Sequence, residues 1–226
     1  MDVKGASPAA RSGAGRRRTQ AERSEATRTA LIAAARTLFA ERGYAGVGTE
    51  ELVRASGVTR GALYHHFRDK RDLFAAVVEQ VEQEVLERVA AAALAESDAW
   101  EAQRAAIGAY LDVCLEPAVQ RIVLVDAPSV LGVEAWREIE ARYGLGLVSA
   151  GLQSVMEAGY IEQQPIDPLA HLLLGALTEG GLMIARADDR VAARREVGES
   201  LDRILNGLSI RRSPRASATA SGRGSG

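Results

Sequence analysis

Residues 49–70 read TEELVRASGVTRGALYHHFRDK, and this stretch decides the fold. Thr49 to Ser56 is patterned as a helix, with Leu52 and Val53 as its inward pair. Thr59 to His66 forms a second helical pattern, with Leu63 inward and Phe67 one turn later. Gly57 separates the two. Glycine accepts backbone angles that other residues resist, so two short helices can cross sharply there. The spacing predicts a helix-turn-helix, whose second helix lies in the major groove of DNA.

The second helix can be read side chain by side chain. At about 100° per residue, Leu63 and Phe67 point inward while Gly61, Tyr64 and His65 point outward. Thr59 stands where an N-cap belongs, which aims the first-turn amides at a groove or a phosphate. Arg60 follows it, and arginine makes the bidentate contact to guanine O6 and N7. Gly61 lets the backbone approach base edges closely, and Tyr64 offers a hydroxyl to phosphate. Thr49 precedes Glu50 and Glu51, an N-cap pattern for the first helix. His65 and His66 are adjacent, so on a helix they diverge, and no carboxylate cluster accompanies them. A metal site is therefore not expected, and no cofactor is implied. Lys70 puts a positive charge at the start of the next helix, four residues after His66.

Charge distribution agrees with DNA contact at the front of the chain. The 226 residues carry a net charge of −2, yet residues 1–70 hold 13 Lys+Arg against 7 Asp+Glu. Residues 71–226 hold 15 against 23. A basic front and an acidic rear confine the phosphate-seeking surface to the first part. Aromatic residues are only 4% and alanine is abundant, which favours helices over strands. The lone Cys114 excludes an internal disulfide and a cysteine-based zinc site. Residues 1–15 lack an apolar segment like that of a secretory leader, and no apolar run suggests a membrane span, so a cytoplasmic protein is expected.

Outward from the motif, Glu25 to Arg42 reads as a helix with Leu31, Ala34, Ala35, Leu38 and Phe39 as one stripe. A long helix is expected from Asp69 or Lys70 toward Ala93, and another from Ser97 to Cys114. Ala118 to Val125 is a short apolar helix, broken at Pro128. Val133 to Ala158 is a long one, bent near Gly144 and Gly146. Two more follow, from Leu169 to Ala187 with Asp167 as its expected N-cap, and from Val191 to Leu208. The fold class is all-α, with about nine helices. Four segments result: a disordered basic arm over 1–18, a DNA-binding domain over 19–68, a helical effector and dimerisation domain over 69–209, and a disordered tail over 210–226.

Thr27-Arg28, then LIAAARTLFAERGY, VTRGALYHHF and DKRDLF together resemble the DNA-binding domain of TetR-type transcriptional regulators. The resemblance covers roughly residues 19–75. It departs at Val53 and Ser56, where the family usually has alanine. It implies that Thr49, Thr59, Tyr64, His66 and Lys70 grip the DNA backbone while Arg60, Gly61 and His65 approach bases. It also implies an all-helical effector domain behind the motif. Its last two helices would pair across a two-fold axis, so that a homodimer reads a palindromic operator on double-stranded DNA.

The candidate dimer interface is the run LLLGALTEGGLMIARA over 172–187, extended into the last helix. Its residues are Gly175, Leu177, Gly180, Gly181, Ile184, Leu201 and Leu205. An ordinary buried helix within one subunit is the alternative. Trp100, Tyr110, Cys114, Trp136, Tyr143, His171 and Thr178 are polar-aromatic groups scattered among apolar ones, as in a small-molecule site. Trp136, Glu140 and Tyr143 share one helical face. No nucleophile–base spacing or phosphate loop is present, so an enzyme is not expected. The expected function is a repressor released by a small-molecule inducer. A ligand-independent regulator or an activator is the alternative.

Overall fold

The computed structural model describes residues 19–210. The arm expected over 1–18 and the tail beyond Ile210 lie outside the described residues. Ile210 itself is tied down. Its amide donates to the Tyr160 carbonyl at 2.9 Å, next to an isolated antiparallel bridge between Ile161 and Ser209.

Ten α-helices follow one another: α1 (Gln20–Arg42), α2 (Thr49–Ser56), α3 (Arg60–His66), α4 (Lys70–Leu94) and α5 (Ala99–Val113) come first. Then come α6 (Ala127–Leu131), α7 (Val133–Glu140), α8 (Gly146–Glu157), α9 (Ile166–Arg186) and α10 (Arg190–Leu208). Two π-helical segments, Val119–Asp126 and Ala141–Leu145, run unbroken into their neighbours. The first continues into α6, and the second joins α7 to α8. Counted as continuous rods, the described residues form nine helices in an all-α fold.

Local chemistry explains where several boundaries depart from the sequence expectation. α1 begins before Glu25 because Thr19 forms a capping box with Glu22. The Thr19 hydroxyl accepts from the Glu22 amide at 3.2 Å, and the Glu22 carboxylate accepts from the Thr19 amide at 2.7 Å. Gly48, not Thr49, is the N-cap of α2, so Thr49 is already helical. Pro128 does not break the chain. It lies just past the π-helical segment, and the rod runs on through it to Leu131. Asp167 lies in the first turn of α9, and Pro165 takes the cap position. Near Gly144, where a bend was expected, the helix widens into the π turn Ala141–Leu145.

By length and composition α9 could cross a membrane. In the fold, however, Ala170, Leu173, Leu177 and Ile184 of this helix are buried in the protein core.

The front three helices close over one core. Leu31, Ala35 and Phe39 of α1 meet Leu52 of α2 and Leu63 of α3, all fully buried. Leu73, Phe74 and Val77 of α4 complete that core. The Phe39, Tyr44 and Phe74 rings cluster with centroids 5.0–5.8 Å apart. Gly57 adopts φ 68°, the left-handed angle that turns α2 into α3.

Polar links then bind this front to the rear. The Tyr44 amide donates to Asp126 at 2.7 Å, and Arg121 lies 3.7 Å from the same carboxylate. Arg71 donates to the Val130 and Leu131 carbonyls at 3.0 and 2.7 Å. Arg36 pairs with Glu84 at 2.6 Å.

Lys70 takes a different part from the phosphate contact expected of it. Its ammonium donates to the Tyr44 and Val47 carbonyls at 2.9 and 3.0 Å and lies 3.9 Å from the Tyr44 ring centroid. Burial holds its pKa below the ordinary lysine value. The charge fastens the turn before α2 to the start of α4. Lys70→Met should therefore lower stability in urea by about 1–3 kcal/mol while leaving the salt dependence of DNA binding nearly unchanged. A variant as stable as the parent would show that these carbonyls do not need the ammonium.

Candidate nucleic-acid interface and internal cavity

α3 is held by Leu63 and by Phe67, which follows its last turn; they are 0% and 3% exposed. Arg28 of α1 covers the Phe67 ring at 5.5 Å. The Thr59 hydroxyl caps the helix by accepting from the Ala62 amide at 3.2 Å. With its inner side fixed, α3 presents Arg60, Gly61, Tyr64 and His65 to solvent, and His66 is half-buried. The Arg60 guanidinium lies over the Tyr64 ring at 5.7 Å. A side chain built on Gly61 would meet only the Thr59 hydroxyl, so that patch of backbone is open. Ser56, where alanine was the expected residue, is accommodated because its hydroxyl donates to the Leu52 carbonyl at 2.7 Å.

Behind this face, the rear helices enclose a cavity of about 510 Å³. Most of its wall is apolar, including Val85, Val89, Ile107, Leu147 and Leu177. Both π-helical segments reach it, through Val119, Val123 and Leu124 and through Tyr143 and Gly144. Four carboxyl groups line it, from Glu82, Glu96, Asp98 and Glu140; no Lys, Arg or His does, among the described residues.

Of the seven ligand contacts expected from sequence, Tyr110, Tyr143 and Thr178 line this cavity and four do not. Trp100 is buried against Tyr160, with ring centroids 5.5 Å apart. Trp136 is buried elsewhere, and neither indole N–H has a hydrogen-bond partner among the described residues. Cys114 is fully buried, its sulfur close to Gly181 like the Tyr110 hydroxyl. His171 is exposed, its ring nitrogen 2.8 Å from the Asp167 carbonyl of its own helix. Helical phase explains why these four lie off the cavity, because an apolar neighbourhood in sequence does not say which way a side chain turns.

Glu82 and Gln103 were missed. Glu82 leaves a signal in the sequence, since it interrupts the apolar stripe Val78, Val85 and Val89 of α4. Burial pushes the Glu82 carboxyl up to about 7. Burial, then the neighbouring Glu82 charge, pushes Glu140 up to about 8, opposed by the Thr178 hydroxyl and Arg137. Thr178 donates to Glu140 at 3.2 Å. Burial also raises Tyr110, and it carries the Cys114 thiol to about 12.

The residues expected at a dimer interface mostly face inward. Leu177, Gly180, Gly181, Ile184, Leu201 and Leu205 are buried within one chain. A side chain on Gly180 would lie 2.8 Å from Val197, and one on Gly181 3.0 Å from the Tyr110 hydroxyl. Gly175 alone of the set is exposed, with nothing within 4 Å of where a side chain would begin. The outer sides of α9 and α10 instead expose Leu172, Met183 and Ile204, which are 72%, 55% and 54% accessible.

Comparison with known proteins bears on both halves of the chain. Residues 31–77 match the family model described as bacterial regulatory proteins, tetR family. Residues 100–208 match the tetracyclin repressor-like C-terminal domain. A TetR-family transcriptional regulator from Pectobacterium atrosepticum is 38% identical, with a TM-score of 0.78 over 87% of this chain and 100% of that one. The chain belongs to the TetR family. It is thus a DNA-binding transcriptional regulator and not an enzyme.

This regulator is also 27% identical to the transposon Tn10 TetC protein of Escherichia coli, over 69% of its own length and 79% of that protein. Other curated relatives are matched over only about a third of their length. RolR, seen in complex with resorcinol, shares the fold at a TM-score of 0.67 and 22% identity, covering 90% of this chain and 97% of that one.

The cavity carboxyls give a signed prediction. Their folded pKa values of about 7 and about 8 lie above the ordinary 4.5. The stability this confers is fully present below 4.5 and is lost as pH rises through 7 and 8. Replacing both Glu82 and Glu140 by Gln should therefore stabilise the protein relative to the parent progressively from pH 5.5 to about 8.5, read as urea midpoints. Parallel midpoint profiles would show that neither carboxyl is perturbed.

Proposed function

We propose that this TetR-family regulator is a cytoplasmic homodimeric repressor, released from a palindromic operator when a small molecule fills the cavity. One observation carries the reading. α4 supplies Leu73, Phe74 and Val77 to the core that supports α3, and further along it supplies Glu82, Val85 and Val89 to the cavity wall. A ligand that moves this wall also moves the seat of the recognition helix. The bond from Tyr44 to Asp126 provides a second tie, since Asp126 ends the π-helical segment that reaches the cavity.

In energetic terms the ligand must prefer the conformation that DNA does not. DNA then weakens the ligand by the same factor. The cavity volume and its mostly apolar wall suit a small organic molecule. The resorcinol complex of RolR supports the reading by analogy of fold.

On the DNA, Arg60, Gly61 and His65 face the bases, and Thr49, Thr59, Tyr64 and His66 grip the backbone. A second copy of the chain packs on the outer face of α9 and α10. Leu172, Met183 and Ile204 would be covered there, and the bare backbone of Gly175 allows close approach.

Arg60→Ala should cost about 1–3 kcal/mol on the preferred operator and relax base preference at one position of each half-site. Unchanged affinity and preference in binding selections would remove Arg60 from the base-reading set. Leu172→Arg combined with Met183→Arg should yield folded monomers by sedimentation. A dimer unaffected by both charges would place the pairing on another face. Gly180→Leu acts differently: it should destabilise each subunit by about 1–3 kcal/mol through overpacking against Val197.

A further inference from the structure

The wall of the cavity combines features that select by charge. Glu82 is half-buried, lines the cavity and has no hydrogen bond or ion pair among the described residues. Glu140 holds one bond, from Thr178. A buried carboxylate without a partner is costly, so such a group keeps its proton or waits for a cation. Two tyrosine rings, Tyr110 and Tyr143, line the same space, and aromatic faces attract cations.

We propose that the cavity takes a mainly apolar molecule with a cationic head, an amine or quaternary ammonium, whose charge lies between Glu82 and Glu140. The inference rests on reading the cavity as the ligand site and adds the chemical class of the ligand.

The surrounding charges support it. From α4 come Glu79 and Glu82, from α5 comes Tyr110, and the residue after α5 brings the Cys114 thiol. From α7 come Glu140 and Arg137, and from the π turn Arg142 and Tyr143. α9 adds only the Thr178 hydroxyl. Arg137 is exposed, and Arg142 is paired with Glu79 at 2.8 Å, so neither cation lines the cavity. At the far end, Asp98 is occupied by the Tyr160 hydroxyl at 2.6 Å and by two helix amides.

An anionic head would meet carboxyl groups and no base. A neutral molecule would leave both glutamates protonated. A cation displaces a proton, which goes to solvent, and takes its place beside the carboxylate. Binding of a cation therefore strengthens as pH rises through 7 and 8, where Glu82 and Glu140 lose their protons.

Three probes with one alkyl chain separate these cases: decyltrimethylammonium, decanol and decanoate, each titrated calorimetrically below its micellar concentration. At pH 8.5 the ammonium should bind at least about tenfold tighter than decanol, with decanoate weakest. At pH 5.5 its advantage should shrink to less than about threefold. The variant with Glu82→Gln and Glu140→Gln should lose the advantage at both pH values while keeping its decanol affinity, which also shows that its cavity is intact. Equal affinity for the ammonium and decanol at pH 8.5, or tightest binding of decanoate, would overturn the cationic assignment and leave the ligand site standing. Binding of none of the three would overturn the ligand site and this inference together.

Discussion

One helix carries both the seat of the recognition helix and a wall of the cavity. α4 has 25 residues and so is a rod about 37 Å long. Its first turns are packed into the core that holds α2 and α3, and its middle forms a wall of the cavity. Close packing transmits displacement, because a dense interior has few voids to absorb it. The support of the recognition helix and the wall of the cavity meet in this shared element. Lys70 strengthens the joint by holding the turn before α2 against the first residue of α4.

The two ends of the molecule have opposite electrostatic characters for separate physical reasons. At the front, Arg60 stands in solvent beside Tyr64, where a charge is cheap and free to meet phosphate or base. In the cavity, carboxyl groups sit among apolar side chains, where a charge is costly. Glu82 and Glu140 therefore resist ionisation. The wider turns of Val119–Asp126 and Ala141–Leu145 both line this space, and the first ends on the residue that binds Tyr44. π turns are places where a helix departs from its regular packing, and they occur often at functional sites.

Small residues in α9 serve two purposes on two sides. Gly180 and Gly181 let α10 and α5 come close within one chain: a side chain at Gly180 would press into Val197, and one at Gly181 would crowd the Tyr110 hydroxyl. Gly175 lies on the bare outer side. The apolar residues that remain exposed there, Leu172 and Met183, lie on one side of the helix about three turns apart.

The helix-turn-helix was legible because its signals are local. Gly57 at the turn, Thr59 at the cap, and the inward Leu63 and Phe67 lie within a dozen residues and specify one another through backbone geometry. The helical class was legible for the same reason. The cavity was not, because Glu82, Tyr110, Glu140 and Thr178 come from four separate elements and meet only through packing. Nor could the run over 172–187 declare its inner side. It is apolar nearly all round, so its periodicity carries no phase, and only the neighbouring helices decide that Gly180 faces in while Gly175 faces out.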